Sequence, residues 1–135
     1  MDNFLSHPSV EYIPLSIINP REGEWQNPFD SKPFFFIYQD RDSLAAKLIS
    51  YGLPQINPSA EEMNDYLVVV SLDFIIKRGY FRFLTVKLVG EARENSYQIF
   101  YLTKKYFPRR VLHFAFYTEE GEKISWENVE IKSSL

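Results

Sequence analysis

The sequence predicts an α+β protein in which strands dominate. We expect an antiparallel meander sheet of about five strands, curled or partly open as a barrel, with one helix packed on it. Aromatic residues, which favour strands, make up 17% of the chain. From residue 66 onward apolar and polar residues alternate, the period of a strand with one buried face. The connections between these strands are short, and short connections join antiparallel neighbours.

The first 33 residues predict an extended, Pro-rich arm packed on a single α+β domain of residues 34–135. They contain five of the eight prolines, one of them inside the apolar stretch at 12–18. Because proline fixes φ and has no N–H donor, this stretch can form only an edge strand. Residues 21–32 are predicted as a loop that Trp25 and Phe29 anchor to the core.

A strand at 34–38 leads into the predicted helix, which covers about residues 42–51. Apolar side chains recur there with helical spacing on one face. Asp40 or Asp42 can cap its first turn, and Gly52 ends it. The apolar residues on that face are Leu44, Leu48 and Tyr51.

A short helical turn at 59–64 is also predicted, because Ser59 and Glu62 have the spacing of a capping box. The remaining strands follow from period-two alternation and are placed at 66–74, 80–89, 97–103, 111–117 and 123–132. Turns or connections are predicted between them, at 77–79, 90–95, 104–110 and 119–122.

The composition argues against most kinds of catalytic site. The chain has no cysteine, which excludes disulfides, thiolate nucleophiles and zinc–thiolate sites. Its two histidines, His7 and His113, lie far apart in sequence, and His113 has the character of a polar cross-strand residue. The glycines are isolated, so no phosphate-binding loop can be assembled. We expect no catalytic residue, no cofactor and no metal; an enzyme with a carboxylate-based site stays as an alternative.

Charge is distributed unevenly along the chain. The formal net charge is −3, yet residues 77–110 contain nine basic residues and two acidic ones. In the predicted meander the start of strand 80–89 lies beside the end of strand 97–103, which brings these cations to one end of the sheet together with several aromatic rings. The predicted binding patch consists of Lys77, Arg78, Tyr80, Phe81, Lys104, Lys105, Tyr106, Phe107, Arg109 and Arg110.

Three interpretations of this patch are open. It can be a solvated rim that discourages aggregation at strand ends. It can contact a protein partner, since aromatic and arginine side chains are enriched at interfaces. It can also hold a polyanion or single-stranded nucleic acid, through phosphate contacts and stacking. The leading hypothesis is a non-enzymatic binding or accessory module that recognises a protein through a sheet face or edge. Partner identity and oligomeric state stay undetermined.

The sequence carries no targeting signal that we can identify. The N-terminus lacks a basic region followed by an apolar run, and no stretch reaches the roughly 18 apolar residues needed to cross a bilayer. We therefore expect a protein without a membrane span, located in the cytoplasm unless the chain is a trimmed exported domain.

The order of features between residues 34 and 117 is similar to that of a known family. Residues 65–72, an apolar strand, run into Arg78-Gly79-Tyr80, followed by a strand, a charged turn and Asn95-Ser96-Tyr97-Gln98-Ile99. This order resembles the bacterial protease-complex accessory subunit (PrcB-like) family. The resemblance implies a small, non-catalytic, envelope-associated β-rich module. The chain departs from the family pattern at the turn, where it has one glycine in place of two, and in lacking an export signal.

Overall fold

The computed structural model describes residues 12–26 and 33–132. The predictions for His7 and Phe29 lie outside this part of the chain. The described elements are β1 (Ile13–Leu15), β2 (Ile18–Glu24), β3 (Phe34–Tyr38), α1 (Arg41–Ser50), α2 (Ala60–Asp65), β4 (Tyr66–Arg82), β5 (Thr85–Thr103), β6 (Val111–Thr118) and β7 (Lys123–Glu130). The protein is mostly sheet with two short helices, so the predicted α+β class is confirmed, and the helical turn predicted at 59–64 forms a second short helix beside the expected one.

The seven strands form one mixed sheet that does not close into a barrel. Its main path runs β1–β4–β5–β6–β7, with β2 added to the second part of β5 and β3 to the first part of β4. The predicted all-antiparallel meander is wrong, because β5 and β6 pair in parallel, with Thr85 opposite His113. The chain leaves β5 at its far end and returns beside its start, and this connection permits only a parallel pairing.

The two central strands are much longer than predicted, at 17 and 19 residues. The predicted turns at 77–79 and 90–95 lie inside β4 and β5, and the chain reverses instead at Phe83, whose φ is 56°. A register shift between Ile76 and Arg78 marks a bulge rather than a turn. Residues 92–95, three of them polar, are exposed because neither core covers the sheet where it bends.

The helices begin where the sequence indicates. Asp40 accepts a 2.9 Å hydrogen bond from the backbone N–H of Ser43 and caps α1, as predicted. Ser59 and Glu62 form the predicted capping box at the start of α2. Each helix is amphipathic. Its buried side chains recur at helical spacing on the side that faces the sheet, and polar residues occupy the other positions. The buried helical residues are Leu44, Leu48 and Met63.

The chain before α1 contributes more sheet than expected. Ile13–Leu15 forms the predicted edge strand on β4. Residues 21–24, predicted as loop, belong to β2, which pairs with β5. Trp25 follows directly and is buried as predicted, with its indole N–H donating a 2.8 Å hydrogen bond to the carbonyl of Tyr51.

Apolar side chains cover both faces of the sheet. One core lies between the helices and the sheet and includes Leu48, Val70 and Ile99. The other lies on the opposite face, where Phe35 of β3 stacks on Phe116 of β6 with centroids 3.8 Å apart. Since β3 and β6 are not neighbours in the sheet, the sheet must curve to bring these rings together.

Gln39 joins the two ends of this curved sheet. Its side chain donates to the carbonyl of Glu130 at 2.7 Å and accepts from the N–H of Lys132 at 2.8 Å. One side chain just after β3 thus replaces part of the strand pairing that would close a barrel.

Candidate binding surfaces

The structure separates the two halves of the predicted patch. Tyr80 pairs with Lys87, and Thr103 pairs with Tyr66, so the end of β5 lies beside the start of β4. The predicted gathering of residues 77–78 with the Lys104 region at one end of the sheet is therefore wrong. The physical reason is the length of β4 and β5, which run on through the predicted turns.

The two segments meet in the core instead of at the surface. Phe81 and Phe107 are both buried, and their ring centroids are 5.1 Å apart. Tyr106 is exposed, and Lys105 lies over its ring at 5.6 Å from the centroid. Arg110 is exposed at the start of β6, and its carbonyl accepts a 3.0 Å hydrogen bond from Ile131.

Acidic partners neutralise the Lys77–Arg78 half of the patch. The ammonium of Lys77 lies 2.9 Å from a carboxylate oxygen of Glu91. The Arg78 guanidinium pairs with Glu119, and this hydrogen-bonded pair raises the pKa of Arg78. Exposed pairs of this kind add little stability, but they cancel the positive charge that a partner would meet.

A different group of cations and rings shares one outer sheet face. Phe81, Val86 and Phe116 point into a core, so the alternating neighbours on β4, β5 and β6 point away from it. We define the aromatic–cationic face as Tyr12, Tyr80, Arg82, Lys87, Tyr117 and Trp126.

Lys87 lies at the centre of this face. Its ammonium is 4.9 Å from the ring centroid of Tyr117 and 5.9 Å from that of Tyr12. Tyr12 also packs edge-on against Tyr80 with centroids 6.1 Å apart, and Arg82 lies over the Tyr12 ring. A cation held over an aromatic ring has a restricted orientation. It therefore loses less side-chain freedom when it pairs with a partner.

A groove of about 500 Å³ crosses the aromatic–cationic face. Its apolar lining includes Pro14 and the buried side chain of Val89. The polar part of its lining includes Lys87, Arg78 and Glu119. We call this feature the groove. An extended chain segment with alternating apolar and acidic side chains matches this lining.

Trp126 extends the face across β7 and is 59% exposed. Its ring lies 5.4 Å from that of His113. His113 contacts Asn128 through Nδ1 and Lys123 through Nε2, at 2.9 and 3.1 Å. This confirms His113 as a polar cross-strand residue. Both of its ring nitrogens contact side chains of β7.

The remaining predicted residues line a separate cavity of about 410 Å³. Lys104, Lys105 and Arg109 face it together with Lys132, which the sequence did not single out. The cavity and the groove share no lining residue.

Three acidic residues also line one further cleft, where a basic residue lies among them. Glu22, Glu24 and Glu94 line a shallow cleft, and Arg93 lies among them, 3.5 Å from Glu22. Within residues 12–26 and 33–132, no group of three or more His, Asp or Glu side chains is placed to hold a metal ion.

Sequence reasoning counted Arg82 and Lys87 among the basic residues but left them outside the patch. The period-two pattern places residues 80 and 82 on one face of a strand, but residue 87 joins that face only because the chain reverses at Phe83. Tyr12 and Trp126 join that face only through non-local strand pairing.

Comparison with protein-family models, curated proteins and solved structures finds no match to this chain. In the part of the chain that the structure describes, neither helix is long and apolar enough to cross a membrane.

Proposed function

We propose that this protein is a non-enzymatic binding module that docks an extended, acidic segment of a partner protein in the groove. The observation that supports this proposal is the position of Lys87 over the rings of Tyr12 and Tyr117, beside an apolar floor. Tyrosine, tryptophan and arginine are the residues that contribute most to protein interfaces.

Charge complementarity defines the occupant. In the described part of the chain, no carboxylate lies within 4 Å of the Lys87 ammonium. An acidic side chain of the partner would pair with Lys87, while a neighbouring apolar side chain would cover Val89 and Pro14. A pair formed in a partly desolvated groove is worth more than one on an open surface.

Nucleic acid fits this groove less well. Glu119 lines it and already occupies Arg78, and the acidic hairpin tip at 119–122 follows directly. A phosphate backbone carries charge at every nucleotide and would pass close to these carboxylates. A peptide can instead place one or two acidic residues at Lys87 and leave the rest of the groove neutral.

The test is a titration of the isotope-labelled full chain with an eight-residue peptide that alternates Glu with Leu and Tyr. A peptide with Lys in place of Glu and an oligo-dT of similar length are the comparison probes. We expect saturable amide shifts at residues 80, 87, 89 and 117 with the acidic peptide alone.

The variant Lys87→Glu should lower the affinity for the acidic peptide by about tenfold or more, the loss expected when one interfacial charge pair is reversed. Lys105→Glu makes the same charge change outside the groove and should leave the affinity unchanged. Equal losses from both variants, or the absence of saturable shifts at the groove, would refute the proposal.

The polyanion hypothesis is the second candidate. It predicts that oligo-dT binds the aromatic–cationic face, with exposed rings such as Trp126 stacking on bases. Its affinity should then fall steeply as salt rises. Tight, salt-sensitive oligo-dT binding without peptide binding would replace the protein-docking proposal with this one.

The resemblance to the PrcB-like family points in the same direction as the first candidate, since an accessory subunit acts by contacting another protein. It stays a proposal about the kind of role, and it assigns no residue to an interface.

A further inference from the structure

We propose that the cavity beside the end of β5 is a binding site for a small phosphate monoester, held by Lys104, Lys105, Arg109 and Lys132. We call it the anion cavity. This site is independent of the groove and of the function proposed for it.

Three segments distant in sequence build the anion cavity. The end of α2 and start of β4 contribute Asp65, the connection after β5 contributes Lys104 and Arg109, and the chain after β7 contributes Lys132. Four cationic residues and one acidic residue thus line a space of about 410 Å³.

Among the described residues, the cations of the anion cavity have no close carboxylate partner. Within residues 12–26 and 33–132, none of Lys104, Lys105, Arg109 and Lys132 has a carboxylate oxygen within 4 Å. Lys77, by contrast, has two glutamates within that distance. The glutamates therefore neutralise the charge of Lys77, whereas the cations of the anion cavity can still attract an anion.

Lys104 is the most enclosed of the four cations. Burial lowers its pKa, Asp65 opposes that shift, and the neighbouring Lys132 lowers the pKa further. Two ammonium groups that repel each other in a partly buried space destabilise the empty cavity. An oxyanion between them would remove that repulsion, which is the electrostatic reason to expect binding.

The backbone around the cavity is already held in place. The N–H of Lys104 donates to the carbonyl of Asp65 at 2.8 Å, and Phe107 donates back to Lys104 at 2.9 Å. Thr103 accepts from the N–H of Lys105 through its hydroxyl, which leaves the hydroxyl hydrogen able to donate to a ligand. A preorganised loop needs little ordering when it binds.

Phosphate is the anion that this set of donors suits best. Arg109 offers a planar fork for two oxygens, and lysines supply compact charges. The buried side chains of Phe107 and Ile131 add apolar surface to the cavity, and Tyr66 lines its wall. A phosphate alone would leave much of the volume empty, so we assign a monoester with a small apolar or aromatic group.

The experiment titrates the isotope-labelled full chain at neutral pH and low salt with three probes: phenyl phosphate, inorganic phosphate and benzoate. We expect saturable amide shifts near residues 65, 103–107 and 131–132, with phenyl phosphate binding tightest. Benzoate binding as tightly as phenyl phosphate would overturn the assignment of phosphate.

Lys132→Met is the decisive variant, because Lys132 is exposed near the end of β7 and its removal leaves the core intact. This variant should lower the affinity for phenyl phosphate by about tenfold, the loss expected for one charge-assisted hydrogen bond. Lys104→Met should weaken it at least as much. Lys77→Met makes the same change at a neutralised cation and should have no effect.

Equal losses from Lys132→Met and Lys77→Met would show non-specific charge attraction and overturn the site. Shifts confined to the groove would overturn it too, and unaltered peptide binding by Lys132→Met would show that the two sites are separate. Matching thermal midpoints for wild type and Lys132→Met would show that a loss of phenyl phosphate binding is not caused by unfolding of the variant.

Discussion

At the scale of single residues, Gln98 shows how a polar side chain stabilises a bent sheet. It is buried, and its amide oxygen accepts from the N–H of Ile76 at 2.7 Å while its amide nitrogen donates to the carbonyl of Ile76 at 2.9 Å. A buried backbone group without a partner is costly, and the bend displaces backbone groups from regular strand pairing. Gln98 supplies both a donor and an acceptor at that place.

We predict that Gln98→Leu lowers the free energy of unfolding by about 3 kcal/mol, because it leaves a buried donor and a buried acceptor unsatisfied. Urea denaturation measures the change. Gln55→Leu alters an exposed loop residue in the same chemical way and should change stability by less than about 0.5 kcal/mol. A Gln98 variant as stable as the Gln55 variant would refute the role assigned to Gln98.

Charged residues act through their immediate partners. Lys77 and Arg78 looked like the start of a binding patch, yet Glu91 and Glu119 neutralise them. Lys87 lies over aromatic rings, and no carboxylate of the described residues is within 4 Å of it, which keeps its charge available. The identity of the nearest side chains therefore decides which cation can bind a partner.

At the scale of elements, β4 and β5 behave as two strands each, joined by a bend. Their paired halves near Val70 and Ile99 lie under the helices. The halves near Phe81 and Val86 pair with each other and lie over the second core, where β6 joins the sheet. The bend lets one pair of strands serve both cores.

The bend requires close approach of the two backbones at Gly90. A Cβ atom built on Gly90 would lie 1.9 Å from the carbonyl oxygen of Ile75, a distance that only a backbone shift can relieve. Glycine is therefore needed here for space rather than for a turn.

We predict that Gly90→Ala destabilises the fold by about 3 kcal/mol or more, as expected for severe overpacking against backbone. Gly79→Ala is the matched control in the same sheet, because its Cβ would meet the flexible end of Leu88 at 2.9 Å. That variant should lose no more than about 1 kcal/mol. Thermal midpoints of the two variants compare them directly, and similar midpoints would contradict the proposed close packing.

At the scale of the whole molecule, the curved sheet leaves a seam between β3 and β7. Gln39 bridges one end of it, and Glu127 of β7 is close enough to Tyr38 of β3 to affect its ionisation. Burial, with contributions from Tyr51 and Glu127, raises the pKa of Tyr38 to about 12. Partial desolvation of its carboxyl also raises the pKa of Glu127, a residue that still contacts solvent, above its ordinary value of 4.5.

The raised pKa of Glu127 has a consequence for stability. Folding favours the protonated form of Glu127. The contribution of this residue to the free energy of unfolding is therefore most favourable below pH 4.5 and is lost as the pH rises through the folded-state pKa. We predict that Glu127→Gln modestly raises the urea midpoint at pH 7.5 and that this gain disappears at pH 3.5.

Glu120→Gln removes one negative charge from the exposed hairpin tip and controls for net charge. The difference between the two variants should appear only at the higher pH. A Glu127→Gln gain that is equal at both pH values would show that packing, not ionisation, is responsible.

The sequence predicted the features that depend on near neighbours. The helix over Arg41–Ser50, the capping roles of Asp40 and Ser59, and the edge strand at Ile13–Leu15 are all confirmed. Each follows from residues within a few positions of one another, where propensity, capping and period are decisive.

Only the tertiary structure decided where the long strands bend, which strands pair in parallel and which cations become neighbours. The segment 90–95 contains a glycine and polar residues, as a turn does, but the close approach of Gly90 to Ile75 and its pairing with β4 make it a bend inside a strand. Local pattern cannot distinguish these outcomes, because the deciding contacts join residues distant in sequence. The same non-local packing dispersed the predicted basic patch and assembled the groove and the anion cavity in its place.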